Sequence, residues 1–245
     1  MGKIRENRSN KGSCMKNNND YDLPSKILHL SFALLFVISF SIGKFVDDDS
    51  KIYAFHMLSG ILMGIVLILR ILWGIFGAKK ARFSNFNLSL NELKTYLKRV
   101  LSGEKISDFH RNPASSLVTL GLYGVAAMMI FSGGLVVLGG PHFFEELHEV
   151  LSLLFLVLVL IHLSGVVVHQ YQNRDQTVLN IFKLSKDYFI IAMVFIITIS
   201  SAGGYLFQNY NQTTQELNIL NQKILLGEKD KGQKYDYDEE DEDDD

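Results

Sequence analysis

Apolar positions in this chain come in long unbroken blocks instead of alternating or one-sided stripes. Five blocks, roughly 27–46, 54–76, 116–138, 147–168 and 188–207, are almost free of charge. About 20 residues at 1.5 Å rise span the hydrocarbon of a bilayer, and each block is long enough. The pattern predicts an all-α integral membrane protein: a four-helix transmembrane bundle over 26–187, followed by a fifth C-terminal transmembrane helix over 188–207. Polar sequence flanks it, as a basic tail at 1–25, a long loop at 78–115 and an acidic tail at 208–245.

Composition adds little until it is divided along the chain. The 245 residues are 48% hydrophobic with a net charge of −2, and the mean hydropathy is +0.15. The charges are segregated. Lys79, Lys80, Arg82, Lys94, Lys98, Arg99, Lys105 and Arg111 crowd the loop between blocks two and three, and the N-terminal tail is also basic. "GGPHFFEE", between blocks three and four, has no Lys or Arg, and "KFVDDDSK" is balanced by acids. Excess Lys and Arg mark the cytoplasmic side, so a multi-pass membrane protein is expected, N-terminus in and C-terminus out. Arg174, Lys183 and Lys186 in the fourth loop agree.

Within the 78–115 loop, "SLNELKTYLKRVLSG" has Ser89 and Glu92 in capping-box spacing and closes on Gly103. Leu90, Leu93, Leu97, Val100 and Leu101 gather on one side of the helix it predicts. That face suits either the inner leaflet or the end of the bundle. The final residues offer a helix start at Thr213–Glu216 and end in "YDYDEEDEDDD", nine acids in 11 residues. Such a run is expected to be disordered. It serves either solvation or attraction of a basic extracytoplasmic partner such as a cytochrome c.

Several classes are excluded early. The first block lies behind a polar stretch and lacks a small-residue cleavage pattern, so it does not read as a cleaved signal. Glu6 stands where a myristoylation motif wants Ser or Thr. Cys14 is the single cysteine, which excludes internal disulfides, iron–sulfur clusters and covalent c-type haem. No nucleic-acid partner is expected.

The chemistry lies in the histidines. His148 and His162 are 14 residues apart in block four; at about 100° per residue they share a face, roughly 21 Å apart along the axis. His29 lies near the cytoplasmic end of block one and His56 near the outer end of block two. Depth alone pairs His29 with His162 on the inner side and His56 with His148 on the outer side. Polar groups inside a membrane are costly and default to function. Two imidazoles from facing helices suit the axial positions of an electron-transferring haem iron, whereas zinc would want further ligands.

Gly60 and Gly64 follow His56 at four-residue steps, and Gly165 follows His162 by three. They would let a flat macrocycle or another helix approach, and helix packing alone explains the G-x-x-x-G equally well. Arg70, 14 residues after His56, shares that face near the cytoplasmic side. It is suited to carboxylates of an inner haem, or to snorkelling at the boundary. His110, His142 and His169 fit surface or interfacial roles.

"HMLSGILMGIVLILRILWGIFGAKKARFSNF" and "LHEVLSLLFLVLVLIHLSGVVV" resemble the bacterial cytochrome b561 family, which includes the b-type cytochrome subunit of Ni/Fe-hydrogenases. The likeness spans about residues 26–170. It implies a four-helix haem-binding bundle with two non-covalent b haems, axial ligands His29, His56, His148 and His162, and exchange of electrons between quinone or quinol and a partner redox protein. That partner is expected to be extracytoplasmic, such as a c-type cytochrome or a hydrogenase. Lys26 and Leu30 replace the family's usual Arg and Trp around the first His, and "HRNPASS" replaces its H-N-P-A-G stretch, so Arg111 takes the His position.

Two other readings remain. A membrane-anchor cytochrome subunit of a hydrogenase or similar reductase belongs to the same class. A histidine-using metal or ion transporter is the rival from another class. It would call for intramembrane acids or broken helices, and Pro24, Pro113 and Pro141 all lie at or outside span ends.

Overall fold

Helix α1 (Leu23–Phe45) begins where the Asp22 side chain accepts the Ser25 N–H at 3.0 Å, with a proline in the first turn. A carboxylate there meets the free N–H groups of the helix end. Helix α2 (Ala54–Phe76) follows a short turn, and two single-turn 3₁₀ segments lead to α3 (Leu90–Leu101), capped by Ser89 accepting from Glu92 N. Gly103 takes φ +70°, the left-handed conformation that stops this helix. Asn112 caps α4 (Pro113–Val137) by accepting from the N–H groups of Ala114 and Ser115. Helix α5 (Phe143–Asn173) carries Glu145 and Glu146 in its first turn, favourable beside the positive end of its dipole. Helix α6 runs from Phe189 to Gln208.

This computed structural model describes residues 21–104, 112–173, 181–182, 186–219 and 221–226. Most of the basic N-terminal tail with Cys14, the loop residues Lys105, His110 and Arg111, Arg174, Lys183, and the acidic run from 235 lie outside the described residues.

Among the described residues, α1, α2, α4, α5 and α6 are long and apolar enough to cross a membrane. α1 packs on α2, α4 on α5, and α2 on α4; α6 lies against α1 and α2. Their outward faces carry large apolar side chains such as Leu34, Val37, Val150, Leu153, Leu160 and Ile197, all exposed. In water this would be a vast unpartnered surface, whereas in lipid it is at rest. Helix association there depends on packing, not on escape from water.

The interior is a layer of Met63, Leu67, Val125, Met129, Leu151 and Phe155. Phe155 receives Phe32 and Phe36 of α1 edge-on at centroid distances of 6.2 and 4.9 Å. At the end of the bundle where α1 begins, Trp73 joins three helices. Its Nε1–H donates to Asp22 Oδ1 at 2.9 Å, and its ring meets Tyr188 and Phe195 at 5.5 and 5.9 Å.

Helix α3 divides its faces. Tyr96 is buried, with its hydroxyl accepting from Asn112 Nδ2 at 2.8 Å, and Gln172 donates to the Val100 carbonyl. Leu90, Leu97 and Leu101 are exposed, so α3 both packs on the bundle's end and presents an apolar edge.

The segment after α6 differs from the sequence expectation of a disordered tail with a helix start at Thr213–Glu216. Strands β1 (Tyr210–Asn211), β2 (Glu216–Ile219) and β3 (Gln222–Leu225) form an antiparallel meander. The Asn211 side chain accepts the Thr213 and Thr214 N–H groups, turning the chain where a helix would have started. Leu217 and Leu226 are fully buried against Ala54 and Leu58 at the start of α2 and Leu206 near the end of α6. The physical reason is local: the acids cluster from Asp236 onwards, while Leu217 and Ile219 alternate with Glu216 and Asn218 in the period of a strand.

Trp73→Phe keeps an aromatic ring but removes the N–H from a buried carboxylate, a loss of about 1–3 kcal/mol. A lower unfolding midpoint in detergent, followed by near-UV circular dichroism, is expected; an unchanged midpoint would show that the bond contributes nothing.

Candidate haem sites

The four intramembrane histidines meet as two cross-helix pairs. His29 of α1 and His162 of α5 have ring centres 6.3 Å apart, inclined at 58°. His56 of α2 and His148 of α5 have centres 6.1 Å apart, inclined at 86°. Helix α5 thus contributes to both sites, and the interior layer around Phe155 lies between them, Phe155 being seven residues from each of its histidines.

The outer pair is held by backbone. His56 Nδ1 lies 2.8 Å from the Ser39 carbonyl and 3.1 Å from Ser39 Oγ. His148 Nδ1 lies 2.9 Å from the Met129 carbonyl, with Ser132 Oγ at 3.4 Å. A carbonyl only accepts, so each Nδ1 carries the proton and each Nε2 keeps its lone pair for a metal. Tyr53 stacks on His56 at 5.4 Å.

The inner pair has a different setting. His29 borders a cavity of about 50 Å³ lined also by Leu28, Phe32, Leu67, Arg70 and Tyr123. The Arg70 guanidinium lies beside the neighbouring rings of Phe83 and Tyr123, 5.4 Å from each centroid, the two rings being 5.6 Å apart. Its Nη2 reaches the Ala81 carbonyl at 3.5 Å. Its Nη1 is buried with no hydrogen-bond partner among the described residues. An N–H of a buried cation without an acceptor is costly, and an anionic group would relieve it.

These residues fit haem. With metal–nitrogen bonds of about 2.0–2.1 Å, and roughly 1.1 Å more from nitrogen to ring centre, two imidazoles on opposite sides of one metal lie about 6 Å apart centre to centre. Both observed separations agree. Among the described residues no cluster of three or more His, Cys, Asp and Glu converges. Two imidazoles alone leave the equatorial positions to the macrocycle, and the orphaned Arg70 N–H suits a haem carboxylate.

The glycines sort differently from their sequence spacing. Gly64 is approached by Ile130 of α4, which an added Cβ would meet at 3.2 Å, so it serves helix contact. Cβ atoms at Gly60 and Gly165 would meet nothing within 4 Å. The glycines against histidines are instead Gly43, where a Cβ would lie 2.8 Å from His56 Nδ1, and Gly133, where it would lie 2.9 Å from His148 Cε1. Sequence reasoning missed both, together with Ser39, Ser132, Phe83 and Tyr123. One signal was available: Gly43 follows His29 by 14 residues, on the same face of α1 at the other depth. His142 stays outside the sites, exposed and 3.6 Å from Glu145.

A family model described as prokaryotic cytochrome b561 matches residues 20–183, well over half the chain. The match takes in α1 to α5 and ends before α6. No curated protein and no solved structure matches the chain.

Proposed function

Because the chain belongs to the prokaryotic cytochrome b561 family, and is thereby a multi-pass membrane cytochrome b of bacterial electron transfer, we propose that it carries two non-covalent b haems and passes electrons between quinone or quinol and an extracytoplasmic redox partner. His29 and His162 would hold the inner haem through their imidazoles, and His56 and His148 the outer one. The observation that carries this is the pair of imidazole separations, 6.3 and 6.1 Å, at two depths of one bundle.

Haem supplies a one-electron couple without bond making; the chain supplies position and environment. Ser39 and Met129 orient the outer imidazoles through their carbonyls. Arg70 offers its unpaired N–H to a carboxylate at the inner site. The layer of Met63, Leu67, Val125, Met129 and Phe155 keeps water out between the two depths, so charge crosses by electron movement alone. By charge segregation the N-terminus and the 78–115 loop face the cytoplasm, while the meander and acidic tail stand outside, able to attract a basic partner such as a c-type cytochrome. An anchor subunit delivering a hydrogenase's electrons to the quinone pool uses the same machinery. A large-subunit gene beside this one would favour it. A metal or ion transporter is disfavoured by the absence of acids among the described residues of the bundle's middle layer.

A reduced-minus-oxidised spectrum of the purified protein, with haem quantified, tests the core of this reading. Two haems per chain are expected in the native protein and about one in each of His148→Ala and His162→Ala; full haem content in either variant would refute the ligand assignment. Arg70→Leu should displace the midpoint potential of the inner haem more than that of the outer, and the reverse order would place Arg70 at the wrong site. Deleting residues 235–245 should weaken association with a basic c-type cytochrome at low salt, an attraction that screening abolishes at high salt. Equal binding by the truncated and full chains would leave the tail a solvating role only.

A further inference from the structure

Both outer imidazoles lie against bare backbone, and two different helices build that arrangement in the same way. On α1, Gly43 leaves room for His56 while the Ser39 carbonyl takes its Nδ1–H at 2.8 Å. On α4, Gly133 leaves room for His148 while the Met129 carbonyl takes its Nδ1–H at 2.9 Å. A Cβ at either glycine would stand closer than 3.0 Å to the ring, so any side chain there pushes the imidazole off its carbonyl. Among the described residues the ring nitrogens of His29 and His162 have no such partner, and Arg70 lines one cavity together with His29.

We infer that Gly43 and Gly133 are positioning residues that seat the outer ligands on backbone carbonyls and thereby set the outer centre at the lower reduction potential of the two. This deepens the two-haem reading and rests on it. An imidazole whose N–H is bound to a carbonyl is a more basic donor through its other nitrogen. A more basic donor favours the iron's more positive, oxidised state. At the inner site the Arg70 cation favours the less positive, reduced state. The two effects act in opposite directions at opposite ends, so they add in the difference. With haem held at both sites, that order of potentials would favour movement of an electron from the outer centre to the inner one, an exchange that needs no proton and no bond.

The test is a redox titration of the full-length holoprotein, followed by haem absorbance, with haem per chain measured in parallel. Gly43→Ala and Gly133→Ala should raise the lower midpoint and leave the higher one in place. Ser132→Ala should act oppositely. Its hydroxyl donates to the Met129 carbonyl at 2.9 Å and lies 3.4 Å from His148 Nδ1; removing the stronger competitor leaves that carbonyl to His148 and the α4 backbone, so the lower midpoint falls further. Gly204→Ala on α6, where a Cβ meets nothing within 4 Å, should move neither. Alanine variants that keep both haems but shift only the higher midpoint, or none, overturn the inference. If the glycine variants lose haem, the sign in Ser132→Ala decides, and a rise or no change overturns it. A native protein without two b-type centres overturns the underlying reading instead.

Discussion

An imidazole in the middle of a bilayer must find a partner, because lipid offers its nitrogens neither a donor nor an acceptor. That constraint organises the bundle. Helix α5 carries two such groups on one face, four turns apart, and α1 and α2 each bring one to meet them at matching depth. The long helix is therefore the common wall of both sites. The pairing dictates the neighbours: α4 packs on α5 from behind and supplies the carbonyl that holds His148, while α1 lines α2 and supplies the one that holds His56.

Between the two pairs the bundle is filled, not hollow. Phe155 sits midway along α5 and takes two phenylalanines of α1 edge-on, and Met63 occupies the corresponding depth on α2, seven residues from both His56 and Arg70. The spacing that puts chemistry at both ends of each helix leaves the same face at mid-depth to hydrocarbon. A dry partition follows from the heptad-like steps and keeps the two polar ends from sharing water.

Long apolar blocks and the depth of four histidines were legible because both follow from helix length and 3.6-residue periodicity, which need no tertiary knowledge. What depends on a neighbouring backbone was not. Gly43 and Gly133 matter through the rings lying on them, and nothing in "SIGKF" or "FSGGL" names those rings. Gly60 and Gly64 looked better placed because they follow His56 on its own helix, yet the slots are built on the helices opposite. Arg70 was recognised as special, but Phe83 comes from the loop after α2 and folds back onto Gly74, where an added Cβ would collide with its ring. The meander was missed for another reason: the acids of the last eleven residues make a far stronger pattern than the short alternation over Glu216–Ile219.

The two ends of the molecule are finished by different means, which bears on how it treats its surroundings. At the end where α1 begins the closure is polar: Asp22 caps α1, binds Trp73, and lies in a buried group with Ser25 and Lys26, while Phe83 of the 3₁₀ segments lies beside Arg70. At the outer end the closure is apolar and comes from beyond the family match, where Leu217 and Leu226 seal the start of α2. Phe55 meets Tyr210 there edge-on at 6.0 Å, one residue from His56. A cap so close to His56 sets apolar side chains beside an imidazole that the Ser39 carbonyl already holds, so this end of the bundle is closed by the meander and α1 together.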